Sequence, residues 1–188
     1  MADDLPWIRF ADRDELRAWV HEHQHTAPGV WLIIAKKGAP YTTITRDDLV
    51  EVGLEYGWID GLVNSIDGHS YGQRFTPRRT RSVWSLRNID IVERLMADGR
   101  IQPRGLAEIE AAKADGRWDR AYAGQAVPQE DLLAALAVHE GALEFYETLP
   151  KGVKFEMYLQ INNAVKPETR ARRIQNYVEK IAAGERPV

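Results

Sequence analysis

The sequence predicts an α+β protein, with a small α/β half followed by a helical half. Three observations carry that expectation. Up to about residue 80, stretches with helical spacing alternate with short β-rich runs in the order α-β-α-β-β. Asp67-Gly68 is a strong two-residue hairpin signal between the last two runs. Beyond that point apolar residues recur only at helical spacing. The halves divide as 1–98 and 99–188, an organisation compatible with one compact domain or two.

Asp12 caps a first helix, with Glu15 as its capping-box partner and Leu16, Trp19, Val20 and His23 on one side. His25 to Gly29 breaks it. Val30 to Ala35 is almost continuously apolar, the pattern of a strand buried on both faces. Thr45 caps a second helix, with Asp48 at its third position, and Gly57 ends it. Trp58 to Ile66 alternates as a strand, with Trp58, Asp60, Leu62, Asn64 and Ile66 on one face and Ile59, Gly61, Val63 and Ser65 on the other. Ser70 to Thr76 is the return strand, stopped by Pro77.

After about residue 80 the pattern turns helical: Asn88 caps Ile89–Ala97, and Pro103 opens Arg104–Ala114, ended by Gly116. Trp118 to Tyr122 reads as a short helical turn and residues 123–128 as a linker. Four helices follow, over Pro128–Val138, His139–Thr148, Lys151–Asn163 and Pro167–Ala183.

Composition narrows the chemistry. The chain has 188 residues and no cysteine, so it has no disulfide, no thiolate nucleophile and no thiolate-held metal. A net charge of −3 argues against a non-specific nucleic-acid binder. The N-terminal residues MADDLPWIRFADRDELRAWV lack a basic region followed by an apolar one, so no secretory signal is read and a cytoplasmic location is expected. No apolar run approaches the roughly 18 residues of a membrane span, so no membrane insertion is expected.

The segment Gly57–Asn88 stands out. Between Arg74 and Arg87 it holds five arginines and no acid. Arg74, Arg78 and Arg79 offer planar, bidentate donors for carboxylate or phosphate. Trp58, Tyr71 and Trp84 supply flat apolar surface, and Ser82 a neutral hydroxyl. Together with Asp60 they form the candidate ligand site. The competing structural reading puts Trp84 and Phe75 in the core and pairs the arginines with acids. Asp60 is the weak candidate for a catalytic base. A structural pair with an arginine such as Arg74 is favoured, because a neighbouring cation keeps a carboxylate ionised.

Lys36 and Lys37, at a strand end, are further candidates for an anion site and equally fit a solvated surface. In HEHQH only His21 and His25 share a helix face, and two ligands hold a divalent ion weakly, so no metal and no cofactor is expected. Arg170, Arg172 and Arg173 read as an exposed helix face. Phosphate-binding glycine loops, GxSxG and HExxH are all absent, so no catalytic constellation is legible.

The stretches PGVWLIIAKKG, EVGLEYGWIDG, YGQRFTPRRTRSVWSLRN, GLAEIEAAKADGRWDRAY and KPETRARRIQNYVEKIAAGE resemble the YdeI/OmpD-associated, or bacteriocin-protection, family in the same order. The resemblance implies a role in withstanding envelope stress or antimicrobial peptides, and brings with it no reaction, cofactor or catalytic residue. It also implies a periplasmic location, from which this N-terminus departs. The expected function is therefore a non-enzymatic stress-protection or resistance protein that binds a small anionic or aromatic molecule. A nucleic-acid-associated stress protein and an enzyme with Asp60 as base are the alternatives.

Overall fold

The computed structural model describes residues 4–127 and 129–188. The expected start of a helix at Pro128 and the first three N-terminal residues lie outside the described residues. The architecture is α+β, with a mixed four-stranded sheet near the N-terminus and mostly helices after it. The chain divides into two compact units, residues 1–82 with 88–118, and residues 83–87 with 119–188.

The first unit begins with a two-residue strand absent from the sequence reading, β1 (Trp7–Ile8), and helix α1 (Arg13–His23). The Asp12 carboxylate accepts from the amides of Asp14 and Glu15, satisfying two orphan donors of the first turn. Strand β2 (Val30–Ala35) leads into helix α2 (Arg46–Tyr56), where Thr45 and Asp48 form the expected capping box. Gly57 ends α2 in the left-handed region, at φ 71°. Strands β3 (Trp58–Ser65) and β4 (Ser70–Pro77) form the hairpin.

The strand order is β1-β2-β4-β3, with β1 parallel to β2 and the other pairs antiparallel. On one sheet face Val30, Leu32, Ile34 and Phe75 pack against Leu16 and Val20 of α1 and Leu49, Val52 and Tyr56 of α2. Each such side chain, fully buried, contributes about 2 kcal/mol of transfer free energy. On the other face the Trp7 ring stacks on Trp31 at 4.9 Å. Gly72 lies beneath these rings, where a side chain would collide with Trp7. This two-sided cover accounts for the unbroken apolarity of β2.

Strand β3 departs from simple alternation. Asp60 pairs with Phe75 and Val63 with Gln73, so a bulge lies between Asp60 and Val63. One extra residue reverses the facing of everything after it. Trp58, Asp60, Val63 and Ser65 therefore share the helix-side face, and Asn64 lies on the other. The Gln73 amide donates to the Gly61 carbonyl at 2.8 Å and holds the bulge.

Charges join the two sheet-covering helices. Arg13 meets Glu51 at 2.6 Å, and Arg17 meets Glu55 at 2.9 Å. Arg100 also pairs with Glu55, whose side chain is only 2% exposed. The hydrogen bond from Arg17 to Glu55 is the main influence that raises the Arg17 pKa above its ordinary value. Helix α3 (Leu86–Ala97) starts two residues before the expected Asn88 cap, because the Leu86 amide already donates to the Tyr122 carbonyl. Helix α4 (Pro103–Ala114) packs on α2. The Gln102 amide donates to the Glu55 carbonyl, and Gly105 lies against the backbone of Leu54 and Glu55.

The helical turn expected over Trp118–Tyr122 is a turn only as far as Arg120. Tyr122 bridges to Ser85, and its amide donates to the Trp84 carbonyl at 3.0 Å. Helices α5 (Glu130–Ala137), α6 (Ala142–Thr148), α7 (Lys151–Asn162) and α8 (Pro167–Ala182) follow. The third of these four starts where expected. The second starts later than expected because Gly141 is left-handed, at φ 73°. The core gathers Leu132, Leu136, Tyr146, Met157, Ile161, Tyr177 and Ile181.

Arg170 ties α8 to the start of α5. Its Nε and Nη2 donate to both oxygens of Asp131 at 2.7 and 2.8 Å, and Nη1 donates to the Ile161 carbonyl. The Arg170 hydrogen bonds are the main cause that holds the Asp131 carboxyl below its usual pKa. A lowered folded pKa makes the pair's contribution full above about pH 4, the unfolded value, and lost as pH falls through the folded one. We expect Arg170→Met to cost about 1 kcal/mol at pH 7, since the pair is partly exposed. The difference from the parent protein should shrink at pH 3. Urea denaturation at both pH values measures it, and an equal cost at both would deny the pair this role.

Candidate functional site

The site that the first unit builds lies at the end of β2. The segment after it, KKGAPYTTITR (36–46), carries three cations and no acid before Asp47. Its fold follows from two anchors. The Ala35 amide donates to the Thr43 hydroxyl at 2.9 Å, and Ile44 is buried in the core, its amide on the Phe10 carbonyl. Gly38 turns the chain at φ 86° in open space. The loop between these points borders an open cavity of about 350 Å³.

Lys36, Lys37, Tyr41, Arg46 and Tyr71 line this cavity beside three threonines, and no carboxylate is among its lining residues. Lys36 donates from Nζ to the Asp67 carbonyl at 2.6 Å, which fixes the ammonium without neutralising it. Lys37 is exposed. Arg46 reaches Asp60 at 3.1 Å, which leaves the other donors of its fork for a ligand. The Arg9 guanidinium lies 5.3 Å from the centre of the Tyr41 ring. Asp48, close in sequence, is turned into the helix cap. Burial works against its charge, but hydrogen bonds from Thr45 and the charge of Arg13 bring its pKa below the ordinary value. The arrangement suits an anion with a flat or apolar body: cations for the charge, tyrosines for the body.

The residues singled out in Gly57–Asn88 lie in several different places. Trp58 is fully buried, 5.1 Å from Phe75 and edge-on to Trp19. Asp60 pairs with Arg46 rather than Arg74, because Arg74 sits opposite Trp31 on the other sheet face. Tyr71 lines the cavity just described. Arg78 is 5% exposed, and its amide donates to the Gly57 carbonyl. Trp58, Asp60 and Arg78 meet at a crevice of about 10 Å³, the room for a single water. Arg79 and Ser82 close a turn, with the Arg79 amide on the Ser82 hydroxyl at 2.9 Å. Trp84 is buried and belongs to the second unit.

Other candidates have structural partners. His23 stacks on Trp19 at 4.6 Å, and His21 lies edge-on to Tyr56. Among the described residues no three His, Cys, Asp or Glu side chains gather as metal ligands. Arg170 is held by Asp131, and Arg173 donates to the Gln160 carbonyl. The sequence reading missed Tyr41, Thr43 and Arg46. Like residues 74–87, residues 36–46 carry cations and no acid.

Among the described residues no helix is long and apolar enough to cross a membrane. Residues 8–108, just over half the chain, match a family described as a domain of unknown function (DUF8412). Residues 126–184 match the family described as bacteriocin-protection, YdeI or OmpD-associated. That match covers the last of the stretches that carried the resemblance, KPETRARRIQNYVEKIAAGE, nearly whole, whereas the first three fall within the other family. No curated protein and no solved structure matches the chain. The chain thus belongs to the DUF8412 family, and its C-terminal segment matches the bacteriocin-protection, YdeI or OmpD-associated family that the resemblance named.

Proposed function

We propose that this is a non-enzymatic protection protein that binds a small anionic, aromatic molecule in the cavity at the end of β2. One observation carries the reading: a cavity of about 350 Å³ lined by Lys36, Lys37, Arg46, Tyr41 and Tyr71, with no lining carboxylate. The protective role rests on the bacteriocin-protection match at residues 126–184. The ligand class follows from the chemistry of the lining, where charge-assisted hydrogen bonds fix the anion and aromatic faces select a flat body.

Calorimetric titration with phenyl phosphate tests it, with inorganic phosphate as the control for charge alone. Phenyl phosphate should bind more tightly than phosphate. Lys37→Ala and Tyr41→Ala should each weaken binding about tenfold, or ~1.4 kcal/mol. Lys37 is exposed, so its loss leaves the fold intact, and circular dichroism checks this. Binding unaffected by either change would overturn the reading. Preference for a single-stranded oligonucleotide, with steep loss of affinity in salt, would favour the nucleic-acid function instead.

A further inference from the structure

Strand β3 is the last in the order β1-β2-β4-β3 and, among the described residues, pairs with β4 alone. Every residue from Gly61 to Ile66 is exposed. Leu62 is 65% and Val63 60% exposed. The stretch GLVNSI has no charge and no proline. Soluble proteins ordinarily protect such an edge with lysine, proline or a covering element. Here one bulge is present, and the edge beyond it, Val63 to Ile66, is uncharged and exposed, a template for another strand.

The structure also indicates what kind of strand. A six-residue edge buries far less than the roughly 1,000 Å² expected of a stable protein pair, so a second copy finds too little surface here. A short extended peptide needs no more than this, because main-chain hydrogen bonds supply its affinity and nearby pockets its selectivity. Such a pocket is adjacent. Ser65 lies directly opposite Tyr71, and Tyr71 lines the cationic cavity. Arg46, from the same cavity, reaches across to Asp60 on β3. The edge and the cavity are therefore joined through Tyr71 of the neighbouring strand and through one ion pair.

We infer that β3 accepts a short, extended, apolar peptide whose terminal carboxylate is held in the cavity by Lys36, Lys37 and Arg46. This rests on the proposed anion site and assigns its ligand to a peptide end. An apolar side chain beside the carboxylate lies against Tyr71 or Tyr41. Backbone amides and carbonyls of Val63–Ser65, beyond the bulge, pair with the incoming strand.

Fluorescence polarisation tests it with an N-terminally labelled seven-residue peptide of alternating valine and threonine ending in a free carboxylate. Its C-terminal amide is the paired probe. The free acid should bind at least about tenfold more tightly than the amide. Val63→Lys and Leu62→Lys, at positions too exposed to carry the fold, should weaken the peptide severalfold and leave phenyl phosphate unaffected. Lys37→Ala should weaken both. If phenyl phosphate binds and the peptide does not, or if the edge variants bind the peptide normally, the strand-addition proposal is wrong and the anion site stands. If neither probe binds, both fall. Concentration-dependent dimerisation by sedimentation that Val63→Lys abolishes would show the edge to be a self-association surface, and would also overturn the proposal.

Discussion

Glu55→Ala is expected to destabilise the first unit by about 3–5 kcal/mol, the cost of removing one partner from a buried ion cluster. Glu55 is the point where two arginines converge, Arg17 from α1 and Arg100 from the segment after α3. Its side chain is almost wholly out of water, so the substitution leaves two guanidinium groups without their shared anion and opens a gap between helices. Glu55→Gln keeps the volume and can still accept a hydrogen bond, so it should cost less than the alanine change. Guanidinium denaturation of the three proteins compares them. Equal stability of Glu55→Ala and the parent would show that the arginines simply turn to solvent.

Gly105→Ala should cost about 3 kcal/mol, at the upper end of the range for overpacking. The added methyl would lie 2.9 Å from both the Glu55 carbonyl carbon and the Leu54 carbonyl oxygen. Both are backbone atoms of α2, so no flexible side chain can yield and the helices must separate. Gly152→Ala is the matched control, a helical glycine whose new methyl would meet nothing within 4 Å. It should be neutral or slightly stabilising, since alanine favours the helix. Thermal melts decide the matter, and a parent-like melt for Gly105→Ala would show that α4 shifts at little cost.

Much of the fold was legible because local signals decided it. Asp12, Thr45 with Asp48, and Gly57 mark helix ends through hydrogen bonds and backbone angles that depend on near neighbours alone. The late start of α6 is a local departure, set by Gly141; the others are long-range. The bulge after Asp60 is held by Gln73 from the neighbouring strand, and no alternation pattern within β3 reveals it. Strand β1 has two residues, too few for any period, and exists because Trp7 stacks on Trp31. The early start of α3 depends on Tyr122, far along the chain.

The candidate site divided in the same way. Lys36 and Lys37 were legible as residues that suit an anion and Tyr71 as a flat surface, and all three line the cavity. What the sequence could not convey is which face of the sheet each side chain takes. Arg74 and Tyr71 lie three residues apart on one strand and so on opposite faces, which separates the arginine from the tyrosine. Trp58 follows the same logic, its face being set by the core.

Residues 83–87 belong to the second unit although they interrupt the first, and this affects how the chain folds as it is synthesised. They leave the ribosome long before Tyr122, whose backbone they bond. The second unit therefore cannot be completed from its own contiguous C-terminal stretch, since the chain must return across the intervening segment to pair Ser85 with Tyr122. Closing that span carries an entropy cost that a self-contained helical bundle would avoid. A fragment trimmed to residues 126–184 would lack both partners of this bridge, and excising the helical segment at the boundaries of its family would leave its first structural element behind.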